Sequence, residues 1–207
     1  MKLRMQFSNF SLSDLPDQNN VLVIASKEAD RNTIVEKVLA AHPERHSNCI
    51  QFDDNDAQDR IDDLKVFVEA HKGQPKTVVF NNVLNRRVLR DTGLLTAPSS
   101  HLANIIVSIF DFPILYPIEK NTFTTLFIRT TEEKWAEIFN YYFKHSFEWA
   151  DKKYCEAAQL YCSQHDNGYI VLSFSSPRES PKVYCYDALP SANESVLTTI
   201  WRWLTWQ

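Results

Sequence analysis

Short runs of apolar residues, each long enough for one buried strand, alternate with segments of helical periodicity along most of this chain. The first run, VLVI at residues 21–24, is apolar at every position rather than at alternate positions. Continuous runs of this kind are typical of strands that are buried on both faces of a parallel sheet. Strands that alternate with helices indicate an α/β fold with right-handed crossovers between parallel strands.

The predicted strands cover residues 21–24, 48–52, 76–80, 104–110, 124–128, 169–173 and 182–186. The predicted helices cover residues 33–42, 56–71, 132–144, 150–163 and 194–207. The last two strands are expected to form an antiparallel hairpin at one edge of a mainly parallel sheet. Asp53 and Asp54 are predicted as N-cap acids of the second helix. These elements predict a single α/β domain over residues 1–207, with an N-terminal extension at residues 1–18 and a Trp-rich C-terminal helix at residues 194–207.

Length and composition fit one globular domain and exclude several classes of protein. The chain has 207 residues, of which 44% are hydrophobic and 23% charged, which is ordinary for a domain that buries a sizeable core. The formal net charge of -4 gives no global basic field, so the charge does not support binding to nucleic acid. No signal peptide is predicted at the N-terminus, and no apolar stretch approaches the roughly 18 residues of a transmembrane helix.

The cysteines and histidines show no spacing that predicts a metal site. The four cysteines are Cys49, Cys155, Cys162 and Cys185. None belongs to a C-x-x-C pair, and four are too few for a disulfide scaffold in a chain of this length. We therefore expect reduced thiols in an intracellular protein, and no metal.

The turn after the first strand is where a sheet of this type places its ligand. It reads ASKEADRNT over residues 25–33, whereas a phosphate-binding P-loop would read G-x-x-x-x-G-K-[ST]. Four positions depart from that pattern, and these are Ala25, Asp30, Arg31 and Asn32. The chain has only three glycines, against roughly 14 expected at average usage, and a loop that wraps phosphates with its backbone needs glycine.

These departures predict weak binding of Mg-ATP. Asp30 is expected to place a negative charge where the phosphates would lie, and Asn32 is a poorer magnesium ligand than Ser or Thr. Lys27 and Arg31, together with the helix N-terminus, remain candidates for contacts with an anion or a partner. The alternative interpretation is a plain strand–helix turn in which Asp30 is the N-cap.

The third predicted strand ends in Asn81 and Asn82. An NTPase of this fold would have acids there, one for the shell of the metal and one to polarise the attacking water. The two amides have the shape of those acids without charge or basicity, so neither can act as a general base. Taken alone, two Asn residues at this point also fit an ordinary strand-end turn.

In this order, the segments resemble the genome-packaging ATPases of poxviruses and other large DNA viruses, in the FtsK–HerA branch. The likeness extends from about residue 21 to residue 188. That family has an Arg-His pair before its fourth strand and a Gln sensor at the end of that strand. Here Ser100 and His101 precede the strand, and Asp111 stands at the sensor position. The resemblance implies a P-loop NTPase fold whose active-site positions have been replaced, with His101 retained.

Two further groups are candidates for contacts. The arginines Arg86, Arg87 and Arg90 suit either an arginine finger or phosphate binding in trans, or else a solvated helix face. The C-terminal segment contains Trp201, Trp203 and Trp206, which favour docking on this domain or on a protein partner.

Three hypotheses for function follow from the sequence. The first is a catalytically inactive P-loop-like viral protein with no cofactor. It would act through contacts with a viral structural or assembly protein, or with itself, in the host cytoplasm or the virion. The second is an atypical NTPase or DNA-packaging subunit that is completed by a neighbouring subunit. The third is an unrelated α/β protein that interacts with the host.

Overall fold

The computed structural model describes residues 7–16, 19–53, 60–82, 94, 103–110, 122–143, 150–175 and 181–188. Its strands are β1 (Ser8–Asn9), β2 (Val21–Ala25), β3 (Cys49–Phe52), β4 (Lys76–Asn81), β5 (Ala103–Ile109), β6 (Thr125–Arg129), β7 (Gly168–Ser173) and β8 (Lys182–Asp187). Its α-helices are α1 (Glu28–Ala41), α2 (Ile61–Ala70), α3 (Glu132–Phe143) and α4 (Ala150–Gln164). Short 3₁₀ turns cover Leu12–Asp14 and Pro43–His46.

The eight strands form one sheet in the order β3-β4-β5-β2-β6-β7-β8-β1. The central strand β2 is fully buried and pairs in parallel with β5 and β6. Of the strands that the structure describes, β7 alone runs antiparallel to its neighbours, β6 and β8. The predicted fold class, a mainly parallel α/β sheet with an antiparallel pair near the C-terminus, is confirmed.

The sheet is covered on both faces because successive residues of a strand point to opposite sides. Leu22 and Ile24 belong to the core cluster that also holds residues of α2, α3 and α4. Val21 and Val23 belong to the cluster that includes the buried residues of α1. Burial on both faces explains why the run at residues 21–24 is apolar at every position.

Three local predictions differ from the structure. α1 begins at Glu28, five residues before the predicted start, because its first turn is polar and has no apolar periodicity. α2 begins at Ile61 with Arg60 as its N-cap, so the predicted N-cap role of Asp53 is wrong. Asp53 instead follows β3 and accepts a hydrogen bond from Asn81. Strand β1, within the predicted N-terminal extension, was not predicted and pairs in parallel with β8.

Several predictions fall outside the described residues, including Asp54 and the Trp-rich helix at residues 194–207. The four cysteines are free thiols. In the part of the chain that the structure describes, no helix has the length and apolarity needed to cross a membrane. The same part contains no group of three or more His, Cys, Asp or Glu side chains placed to hold a metal ion.

Candidate functional site

The carboxyl ends of β2, β4 and β5 meet at one edge of the sheet, which is where a fold of this type binds ligands. Only two residues, Ser26 and Lys27, separate β2 from α1. The first helical backbone hydrogen bond of α1 runs from Arg31 N to Lys27 O, over 3.3 Å. Asp30 is therefore inside the first turn, and its predicted role as N-cap is wrong. Lys27 holds the N-cap position, is exposed, and makes no side-chain cap.

The side chain of Arg31 turns back from α1 over the end of the sheet. Arg31 is buried, with only 4% of its surface exposed. Nη1 donates to the carbonyl oxygens of Ala25, at 2.5 Å, and Ser26, at 3.2 Å. Nη2 donates to Oδ1 of Asn82, just beyond the end of β4. Burial lowers the pKa of Arg31 from its ordinary value, although Glu28 and Asp30 act to raise it.

Asn81, the last residue of β4, and Asn82, just after it, form a chain of polar contacts along the same edge. Asn81 donates from Nδ2 to Oδ1 of Asp53, at 3.0 Å. Its Oδ1 accepts from Oγ of Ser108, on β5, at 3.4 Å. The same Ser108 hydroxyl accepts from the backbone N–H of Asn82, also at 3.4 Å. Asn82 has φ of 60°, a left-handed conformation in which Asn is enriched.

Asp30, the neighbour of Arg31 in the first turn of α1, is paired with a residue of β6. Its Oδ2 is 3.5 Å from Nε of Arg129, the last residue of β6. Arg129 Nη1 donates to the carbonyl oxygens of His165 and Gly168, each at 2.9 Å. The hydroxyl of Tyr169 donates to the backbone oxygen of Asp30, at 2.8 Å. The carboxylate of Asp30 is therefore paired with a cation of the same chain, Arg129.

The arrangement brings together some of the predicted site residues. Arg31 is in direct contact with both Ala25 and Asn82, and Ser108 contacts both Asn81 and Asn82. Asn32 is half-buried one residue further along α1. The remaining candidates lie outside the described residues, and these are Arg86, Arg87, Arg90, His101, Asp111, Trp201, Trp203 and Trp206.

Sequence reasoning missed two charged residues at this edge, Asp53 and Arg129. Asp53 directly follows β3, and Arg129 is the last residue of β6. Because the carboxyl ends of parallel strands share one edge, their positions after predicted strands could have identified both. What could not be read from the chain is that Asn81 and Asp30 are their partners.

No family model and no curated protein matches this sequence. The fold is similar to that of B204, the DNA-packaging ATPase from Sulfolobus turreted icosahedral virus, with a TM-score of 0.54 and 13% identity, covering 82% of this chain and 97% of that one. It is also similar to the genome packaging NTPase B204 of Sulfolobus turreted icosahedral virus 2 in complex with sulfate, with a TM-score of 0.51, 12% identity and coverage of 82% and 97%. For the same NTPase in complex with AMPPCP, the TM-score is 0.51 and the identity is 13%, and the match covers 82% of this chain and 98% of that one. At these identities the likeness shows the fold, which is the α/β fold of these viral packaging NTPases.

Proposed function

We propose that this chain is a catalytically inactive P-loop-like viral protein that acts through protein contacts in the virion or during its assembly. The observation that carries the proposal is the position of the Arg31 guanidinium. It lies between the end of β2 and Asn82, in the region where a fold of this type binds its ligand.

The path of the backbone supports the proposal. Residues 28–30 belong to the first turn of α1, whereas in the P-loop pattern they would form part of the loop that cradles phosphates. A helical turn directs its backbone N–H groups along the helix axis, so these residues cannot wrap an anion as a loop does.

The side chains of Asn81, at the end of β4, and Asn82, just after it, support the same proposal. Asn81 and Asn82 supply amides where a metal-dependent NTPase needs carboxylates. The acid that contacts Asn81, Asp53, accepts a hydrogen bond from its amide. An amide has no basicity near neutral pH, so neither Asn can take the proton of an attacking water.

The proposed role is non-enzymatic and needs no cofactor. Its partner is a viral structural or assembly protein, or a second copy of this chain, in the host cytoplasm or the virion. The net charge of -4 gives no support to DNA as the main partner. The Trp-rich segment at residues 194–207 and the arginines at positions 86, 87 and 90 remain candidate contact residues in this proposal.

Isothermal titration with ATP and magnesium tests the proposal directly. We expect no saturable heat of binding and no release of inorganic phosphate. A viral packaging NTPase of the same fold, such as B204, serves as the positive control. Micromolar binding accompanied by turnover would show that the proposal is wrong.

The second candidate is an atypical NTPase subunit whose site is completed by a neighbouring subunit, and the shared fold with packaging NTPases favours it. It predicts ring-shaped oligomers and phosphate release that is stimulated by DNA. Monomers in light scattering, with no stimulation by DNA, would count against it. The third hypothesis, an unrelated α/β host-interaction protein, would be favoured by a strand order that lacks the P-loop topology, and it gains no support from this comparison.

A further inference from the structure

The guanidinium of Arg31 joins two strands that are not neighbours. In the sheet, β5 lies between β2 and β4. Nη1 binds oxygen atoms at the end of β2, and Nη2 binds the side-chain oxygen of Asn82 after β4. The planar guanidinium therefore crosses the carboxyl end of β5. It connects the end of β2 and Asn82 to α1, the helix that carries Arg31.

The contacts fit a guanidinium and do not fit a simple positive charge. The three acceptors are two backbone carbonyls and one side-chain amide, all formally neutral. Nη1 donates to the two carbonyls and Nη2 to the amide, while the buried Nε has no hydrogen-bond partner among the described residues. A guanidinium presents donors in a rigid fork, whereas an ammonium is a compact charge on a flexible stem. A lysine at this position would therefore bind either the end of β2 or Asn82 and leave the other without a donor.

Asn82, the acceptor just after β4, is held in place by features that do not involve Arg31. Asn82 has φ of 60°, and its backbone N–H donates to Oγ of Ser108 on β5. The left-handed turn and the contact with Ser108 direct the amide of Asn82 across the end of β5. Asp has a similar shape and also tolerates this conformation, so the charge of the acceptor can be changed without changing the turn.

We propose that Arg31 is an intramolecular ligand of this edge of the sheet, so that the fold holds α1 against the end of β4 without a bound molecule. The inference rests on the proposed function, since the Arg31 guanidinium lies in the region where a fold of this type would bind a nucleotide. It assigns a chemical class to the site, which is an alkylguanidinium cation. A chain that lacks the Arg31 side chain should accept such a cation from solution.

Truncation with chemical rescue tests the assignment. We expect Arg31→Ala to lower the melting temperature by roughly 5 to 10 °C, because hydrogen bonds of a charged donor are lost and buried acceptors lose their partner. Millimolar ethylguanidinium, which replaces the missing atoms, should recover part of that loss by binding the folded state. Ethylammonium at the same concentration should give no recovery, and neither cation should raise the melting temperature of the wild type or of the partly exposed control Arg60→Ala. Equal effects of the two cations on Arg31→Ala would overturn the assignment.

Two conservative variants keep the test decisive if Arg31→Ala does not fold. Arg31→Lys should lower the melting temperature by a similar amount, because an ammonium cannot reach both the end of β2 and Asn82. Asn82→Asp should raise the melting temperature of the wild type by about 2 to 4 °C, the size of one strengthened charged hydrogen bond. In the Arg31→Lys background that gain should shrink or vanish. A melting temperature of Arg31→Lys equal to the wild type, or the same gain from Asn82→Asp in both backgrounds, would overturn the inference.

The two proposals fail in different experiments. Binding and turnover of Mg-ATP by the wild type would refute the proposed inactivity, and would be seen without any variant. Absence of selective rescue by ethylguanidinium would refute the role of Arg31 and leave the proposed inactivity supported by Asn81 and Asn82.

Discussion

At the residue scale, Gly168 shows how one missing side chain sets the packing of a helix against a strand. A Cβ at this position would lie 2.7 Å from Cβ of His165 and 2.8 Å from Cε1 of Tyr161. Both contacts are closer than real Cβ atoms come, and His165 Cβ cannot move without moving the backbone after α4. We predict that Gly168→Ala lowers the free energy of unfolding by about 2 kcal/mol, the typical cost of overpacking, as measured by urea denaturation.

Gly73 provides the matched control for this prediction. A Cβ there would meet nothing within 4 Å, but φ is 72°. Gly73→Ala should therefore cost only about 1 kcal/mol, the strain of a left-handed alanine. If Gly73→Ala proved more destabilising than Gly168→Ala, close packing would not be the reason that position 168 is glycine.

At the element scale, one asparagine side chain ties together the beginnings of the three central strands. Asn20, just before β2, accepts from the backbone N–H of Ile105 on β5, at 2.9 Å. Its Nδ2 donates to the carbonyl oxygen of Thr122, before β6, at 3.0 Å. We predict that Asn20→Ala lowers the free energy of unfolding by about 2 to 3 kcal/mol in urea denaturation, because the buried N–H of Ile105 loses its acceptor and the hydrogen bond to the Thr122 carbonyl is lost.

Asn48→Ala is the control, because the Asn48 amide also donates to a carbonyl, that of Pro75, but at an exposed site. Water can replace that contact, so the loss should stay within about 0.5 kcal/mol. Equal losses at the two positions would argue against a role for buried backbone groups in the effect.

Elements with a continuous apolar pattern could be predicted, and elements without one could not. β2, β4 and β5 are buried at every position, and each was predicted from its apolar run. β1 has two exposed residues, too few to form a pattern, and it is held by pairing with β8. The start of α1 was missed because its first turn is fixed by the contacts of Asp30 and Arg31 with distant strands.

At the scale of the whole molecule, burial of thiol and phenol side chains makes the stability of the fold depend on pH in the alkaline range. Burial raises the pKa of Cys162 from 9.0 to about 12. Burial also raises the pKa of three tyrosines, Tyr142, Tyr161 and Tyr169. The folded state therefore binds these protons more tightly than the unfolded state. Their contribution is complete below about pH 9 and is lost as pH rises towards the folded pKa values.

We predict that the melting temperature is nearly constant from pH 7 to 8 and falls steadily above about pH 9. Cys162→Ala removes one of these titrating groups, so the melting temperature of the variant should fall less steeply above pH 9, whatever its value at pH 7. The slopes above pH 9 are compared by differential scanning calorimetry. Identical slopes in the wild type and the variant would show that Cys162 does not titrate differently in the folded chain.

The sequence indicated which residues form the candidate site, but it did not indicate which of them contact one another. Ala25, Asp30, Arg31, Asn81 and Asn82 were identified by their positions after predicted strands. Position along the chain does not give the direction of a side chain. The sequence therefore could not show that Arg31 reaches Asn82 while Asp30 pairs with Arg129.

The sequence by itself determined the succession of buried strands and helices, and it determined that amides, not acids, stand at Asn81 and Asn82. Both follow from residue type, since apolar runs must be buried and amides cannot replace carboxylates in charge or basicity. Only the tertiary structure decided the strand order, the early start of α1 and the contact between Arg31 and Asn82. These depend on pairing between residues that are 51 positions apart in the chain and on which polar groups can satisfy one another once water is excluded.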